Sequence, residues 1–175
     1  MKITLYFALS CNGFIAHSDG TEEFISDAAW KLSEKLAAQN DAIIVGRTTF
    51  ENVENWNDPQ YSLDALQVKE RVLVSSDENY QPKTGWVHAV SPEDAVSTLE
   101  ARGCMSAYLV GGAQLAGSFL NKGLVDHASF YLQPWLVSEG IPMVKGLLQD
   151  REMKLLSADV MESGEVLMEY QIIYA

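Results

Sequence analysis

The chain has 175 residues, 47% of them hydrophobic and 21% charged, which fits one domain, 1–175, and excludes a disordered composition. Its formal net charge of -12 sets it against phosphate backbones and anionic bilayers, which are recognised by clustered Lys and Arg, so neither nucleic acid nor membrane is an expected partner. Cys11 and Cys104 form no CxxC and no metal-ligand cluster with His17, His88 and His127, so no metal site is expected and the thiols read as free in a reducing compartment, the cytoplasm.

Ile3 to Leu9 is apolar at nearly every position, as a strand covered on both faces would be. It carries Thr4 and Tyr6 and lacks a small-residue cleavage site, so it reads as a strand rather than a secretory leader. Asn12-Gly13 turns the chain, and a polar loop runs through Asp19-Gly20. Ser26 is placed to cap a helix with Ile25, Ala29, Leu32 and Leu36 on one face, ending near Asn40. Ala42 to Val45 predicts a second buried strand, stopped by Gly46, with a short helix opening at Thr48 or Thr49. Asn52 to Gln60, which holds Trp56 and Pro59, reads as loop. Arg71 to Val74 and Trp86 to Val90 are further strands. Ser91, Pro92 and Asp94 then open a helix that Gly103 ends.

Ala107 to Val110 predicts a fifth strand, and a helix follows from about Ala113 to Gly123. Val125 to Leu132 is a sixth strand, stopped by Pro134. Leu155 to Met161 and Val166 to Ile173 flank Glu162-Ser163-Gly164-Glu165 as a hairpin. The alternation predicts an α/β fold: a mixed sheet of eight strands, mostly parallel, closed by an antiparallel hairpin and covered by about four helices.

Ligands of open α/β sheets bind beyond the carboxyl ends of the strands. After the fifth strand, Gly111-Gly112-Ala113-Gln114-Leu115 leads directly into a helix. Glycines admit close approach of a ligand, and the helix start offers N–H groups to a pyrophosphate. After the second strand, Gly46-Arg47-Thr48-Thr49 joins a forked cation to two hydroxyls. Singly, these are equally a tight turn and a surface arginine. On two strand ends of one sheet they fit a ligand with several phosphates, such as a dinucleotide. No GxGxxG or GxxxxGK[ST] occurs, so neither a Rossmann fingerprint nor a P-loop is present. Phe14-Ile15-Ala16 reads either as cover for a flat ring or as a short buried segment.

Five pieces stand in one order: Ser10-Cys11-Asn12-Gly13-Phe14-Ile15-Ala16, Asp41 to Glu51, Tyr108 to Leu115, Gly123-Leu124-Val125-Asp126, and Glu139-Gly140-Ile141-Pro142. With them the chain resembles the dihydrofolate reductase-like superfamily. It is most similar to the reductase domain at the C-terminus of the riboflavin-biosynthesis deaminase-reductase (RibD C-terminal type) and its free-standing bacterial relatives. The resemblance implies a three-layer fold, with helices on both sheet faces and NADPH, or alternatively NADH, across the strand ends. It implies that Gly46, Arg47, Thr48 and Thr49 hold phosphates and that Gly111, Gly112, Ala113, Gln114 and Leu115 cradle the pyrophosphate. Ala8 and Ile15 would lie beside the nicotinamide, and Ser75 and Ser76 near the adenosine. In two places the chain departs from the pattern: Asn12 stands where the family usually has Asp, and Asp77 rather than a basic residue follows Ser75-Ser76.

The implied activity is hydride transfer to a small heterocycle of pterin, pyrimidine or riboflavin-precursor type. The alternative is a non-catalytic nucleotide-binding or dimerisation module, since fold alone does not fix function. Folate reductases carry a carboxylate on the first helix, and the nearest equivalent position here falls close to Trp30. Asp27, one turn earlier, is therefore the candidate catalytic carboxylate, beside its ordinary role of complementing the helix dipole. Glu22 and Glu23 precede it in the loop. Dihydrofolate is accordingly expected to be a poor substrate. Phe24, Trp30, Trp56 and Tyr61 are candidates to meet the substrate. A homodimer is expected, with the apolar run Phe130 to Val137 near a sheet edge as its interface.

Overall fold

The computed structural model describes residues 1–56 and 58–174; Asn57, within the segment read as loop, and Ala175 lie outside the described residues. In chain order the elements are β1 (Lys2–Ser10), β2 (Phe14–His17), α1 (Asp27–Ala38), β3 (Ala42–Gly46), α2 (Arg47–Asn55), β4 (Glu70–Val74), β5 (Val87–Ala89), α3 (Pro92–Ala101), β6 (Ser106–Gly111), α4 (Ala113–Asn121), β7 (His127–Gln133), β8 (Gly140–Pro142), β9 (Glu152–Val160) and β10 (Val166–Ile173). Two short 3-10 turns, Pro59–Tyr61 and Leu63–Ala65, follow α2.

The main sheet has eight strands in the order β5-β4-β3-β6-β1-β7-β10-β9. From β5 to β7 every neighbouring pair is parallel, and β10 runs antiparallel to both β7 and β9. The fold is thus the mixed sheet with a C-terminal hairpin that the alternation of elements implies.

Strand alternation sends side chains to two cores. Ile3, Leu5, Phe7 and Leu9 of β1 and Ile44 of β3 pack with Leu99 of α3 and Phe119 and Leu120 of α4. Tyr6, Ile43, Val45 and Tyr108 pack on the other face with Ala29 and Ala37 of α1 and Phe50 and Val53 of α2. A strand covered on both faces has no polar side, which is why these segments read as continuous apolar runs. Ser91 caps α3, its hydroxyl accepting from the Asp94 N–H at 3.1 Å. The Asp94 carboxylate bonds the Val90 N–H at 2.9 Å, one residue before the position a capping box uses.

The structure departs from the sequence reading in three places. A second sheet pairs β2 with β8, so Phe14-Ile15-Ala16 is a strand and the Glu139-Gly140-Ile141-Pro142 piece supplies its partner. Any side chain at Gly140 would collide with the Ala16 carbonyl and the Phe14 ring, so this pairing requires glycine. Helix α2 starts at Arg47 and takes in Asn52–Asn55, because Val53 joins Phe50 in the core. Finally, β7 lies inside the sheet, between β1 and β10. Phe130 and Tyr131 are buried there, and of the apolar run only Pro134, Trp135 and Leu136 are exposed. The sheet edges are β5 and β9, and β9 is exposed along nearly its whole length.

Candidate active site

A cleft of about 620 Å³ opens on the α1/α2 face of the sheet. Its floor is made by Tyr6 and Ala8 of β1, Tyr108 and Val110 of β6, Val53 of α2 and Leu63. The floor hydroxyls are satisfied within the protein. Tyr6 donates to the Ala29 carbonyl at 2.8 Å, and Tyr108 pairs with Ser33 at 2.6 Å. Burial pushes both phenols well above the ordinary tyrosine range, so neither ionises at neutral pH.

One wall is aromatic. The Trp30 and Trp56 rings both meet Tyr61 edge-on, at 5.5 and 6.0 Å between centroids. Trp30, Trp56 and Tyr61 line the cleft, whereas Phe24 is buried, edge-on to His17 at 5.3 Å. The polar lining is acidic: Glu22, Glu23, Asp27 and Asp58 contribute, and among the described residues no Lys or Arg does. Asp27 accepts a 2.6 Å hydrogen bond from the Tyr61 hydroxyl and is otherwise exposed.

Glu22 is different. It is only partly exposed, and its carboxylate accepts no hydrogen bond among the described residues. Burial pushes its pKa up to about 7, since removal from water disfavours the charged form. The sequence places Glu22 in a polar loop and gives no local sign of burial. The one available signal is Phe24, whose burial draws this segment against the protein. Beside it, Ser26 occupies the N-cap of α1 without capping it; its hydroxyl is buried and unpartnered, and its N–H donates to Gln133.

At the inner end, the cleft reaches Thr49 and Gly112. There the starts of α2 and α4 meet. A Cβ on Gly46 would lie 3.5 Å from the Gly111 carbonyl, and one on Gly112 would lie 2.7 Å from the Thr49 hydroxyl. Gly111, in a cis peptide with Gly112, has φ +101°, and a Cβ there would lie 2.6 Å from the Phe7 ring. The N-caps of α2 and α4 are Gly46 and Gly112, and neither has a side chain to cap its helix. Two adjacent uncapped helix starts present N–H donors and positive dipole ends, the donor set a pyrophosphate needs.

Of the residues expected to touch a cofactor, the structure gathers Gly46, Thr49, Gly111, Gly112, Ala113 and Leu115 at this junction, with Ala8 and Ile15 lining the cleft. Thr48 and Gln114 point to solvent. Arg47, the first residue of α2, and Ser75 and Ser76, which follow β4, sit on neighbouring strand ends, since Gly46 pairs with Val74, but do not line the cleft. Arg47 is engaged by Asp77 at 3.5 Å and Glu51 at 4.0 Å, and lies over the Tyr80 ring. Ser75 is buried, with its hydroxyl accepting from the Asp77 N–H, and Ser76 is exposed. Asn12 lies outside the cleft lining. Its amide donates to the Val137 carbonyl at 2.8 Å and accepts from the Val137 N–H at 3.1 Å. An aspartate could not make the first of these bonds.

The RibD C-terminal domain family matches residues 1–167. The chain belongs to that family. Among curated relatives of this RibD C-terminal domain, the riboflavin biosynthesis protein RibD of Corynebacterium ammoniagenes is 30% identical over 154 residues, covering 81% of this chain and 45% of that protein. The chain therefore spans less than half of that relative. YyaP of Bacillus subtilis, an uncharacterized protein, is 25% identical over 99% of this chain and 94% of its own length. In fold, the chain is similar to a riboflavin biosynthesis-type protein from Shewanella sp. PV-4, with a TM-score of 0.81 at 20% identity over 99% of this chain and 100% of that one. It is also similar to a Thermotoga maritima diaminohydroxyphosphoribosylaminopyrimidine deaminase/5-amino-6-(5-phosphoribosylamino)uracil reductase, with a TM-score of 0.76 at 17% identity over 97% of this chain and 56% of that one.

Proposed function

We propose that this RibD C-terminal domain is an NADPH-dependent reductase that also accepts NADH, with a small heterocycle bound in the cleft and Glu22 as its proton donor. The observation that carries the reading is one continuous site: a carboxyl still half-protonated near neutral pH shares a cleft with two uncapped helix starts. Family membership and the likeness to reductases support it.

The residues present fit a nicotinamide dinucleotide. The N–H groups at the starts of α2 and α4 would hold its pyrophosphate, and Ala8 and Ile15 would flank its nicotinamide ring. When bound, it supplies a hydride. The chain supplies the rest. Trp30, Trp56 and Tyr61 orient a flat ring and keep water from it. Glu22 holds a proton that passes to the ring nitrogen as its neighbouring carbon accepts the hydride, so C=N becomes CH–NH and the carboxylate regains its proton from solvent. Asp27, already bonded to the Tyr61 hydroxyl, positions that aromatic wall. Asp77 beside Arg47 blunts selection for a ribose phosphate, so the preference for NADPH over NADH is expected to stay below roughly tenfold, the worth of about 1.4 kcal/mol. Free Cys11 and Cys104 support a cytoplasmic setting. No helix is long and apolar enough to cross a membrane among the described residues.

The test is loss of reduced-nicotinamide absorbance with a panel of pterins and aminopyrimidines. Turnover with at least one of them, and poor turnover with dihydrofolate, is the expected result. Cofactor binding without turnover on any of them would favour a non-catalytic module.

A further inference from the structure

The carboxylates of the cleft have a consequence for what can enter it. Glu22, Glu23, Asp27 and Asp58 line it, and no Lys or Arg does among the described residues. The nearby cations are committed elsewhere. Lys83 is held by Glu54 and Asp64, both within 2.6 Å, and Arg47 by Asp77. On the floor, the Tyr6 hydroxyl donates to the Ala29 carbonyl and the Tyr108 hydroxyl is paired with Ser33. The part-buried Glu22 carboxyl accepts no hydrogen bond among the described residues, and the aromatic wall of Trp30, Trp56 and Tyr61 gives a flat ring its surface.

We propose that the substrate is a phosphate-free, amino-substituted heteroaromatic ring, whose N–H groups donate to Glu22 and whose face lies on the Trp30–Tyr61 wall. This rests on the reductase reading of the same cleft. It separates the chain from an enzyme that grips a phosphoribosyl group beside the aromatic wall, because a phosphate there, away from the helix starts at Thr49 and Gly112, would lie among the carboxylates of Glu22, Glu23, Asp27 and Asp58, which costs affinity most at low ionic strength. An amino-bearing ring, neutral or cationic, gains from the same carboxylates.

Calorimetric binding to the intact protein tests this without requiring turnover. The probes are 5-amino-6-(ribosylamino)uracil, the same molecule carrying a 5-phosphate, and 2,4-diaminopteridine. The phosphate-free probes should bind at least tenfold more tightly than the phosphorylated one, and the gap should narrow at high salt. Glu23→Lys, at an exposed position on the cleft, should recover most of the affinity for the phosphorylated probe. Glu22→Gln should weaken 2,4-diaminopteridine about tenfold while retaining a cooperative thermal transition. Equal or tighter binding of the phosphorylated probe, or no binding by any of the three, would overturn the proposal. Tight phosphate-free binding with no cofactor oxidation would leave it standing and remove the reductase reading instead.

Discussion

Glu22 affects stability separately from the reaction. Its pKa is near 4.5 when solvated and about 7 in the folded protein. Below about 4.5 the group is protonated in both states; as pH rises towards 7 the unfolded chain releases the proton first. Glu22 therefore favours folding at low pH, and that contribution, at most about 3 kcal/mol, is lost as pH rises from about 4.5 to 7. His127, whose burial lowers its pKa, acts with the opposite sign near 6.5. The comparison that isolates Glu22 is thermal unfolding of wild type against Glu22→Gln across this range. The variant should lack the downward slope, and matching slopes would mean that Glu22 is solvated. Arg47 is the second residue to test. Alone it would be worth the 1.5–3 kcal/mol of a charge-assisted hydrogen bond. Because Asp77 and Glu51 already engage it, Arg47→Ala should weaken cofactor binding by no more than about 1 kcal/mol, measured by titration. A hundredfold loss would show that the cofactor displaces those carboxylates.

At the scale of elements, the sequence carries its punctuation openly and hides its pairings. Ser91 with Pro92, Gly103, and the apolar runs of β1, β3 and β6 are local signals, and each falls at the element it implies. The small β2–β8 sheet does not show, because strands of four and three residues carry no measurable period and their partners lie over a hundred residues apart. The same limit applied to the site. Gly46 and Gly111-Gly112 are visible as turn residues, but that they abut through Thr49 is a tertiary fact. The burial of Glu22 comes from the fold of a polar loop, and Phe24 is its one trace in the sequence. The abutment has a test of its own. Gly112→Ala would place a Cβ 2.7 Å from the Thr49 hydroxyl and should cost roughly 1–3 kcal/mol in stability, as overpacking does. Adding Thr49→Ala should restore part of it. Additive losses in a double-mutant cycle would show that the two helix starts do not touch.

The whole molecule exposes an apolar edge. Leu155, Leu156 and Val160 of β9 are 52%, 50% and 77% exposed, and an unpaired edge strand of this kind is a template for a second strand. We propose that two copies associate along β9, not through the Phe130–Val137 run, which the fold largely buries. Sedimentation should show a dimer at micromolar concentration that Leu156→Lys converts to monomer; a wild-type monomer would remove the interface.

Reduction of a heterocycle in this cleft, with a proton from Glu22, can be followed directly. The most direct measurement is the rate of NADPH oxidation with a phosphate-free aminopyrimidine or pterin, from pH 5.5 to 8.5, in wild type and Glu22→Gln. The wild-type rate should fall as pH rises through about 7, and the variant should be slower by roughly 10²–10⁴, the usual range for a lost general acid, with no such pH dependence. A variant as fast as wild type, or a wild-type rate indifferent to pH across this range, would contradict the account.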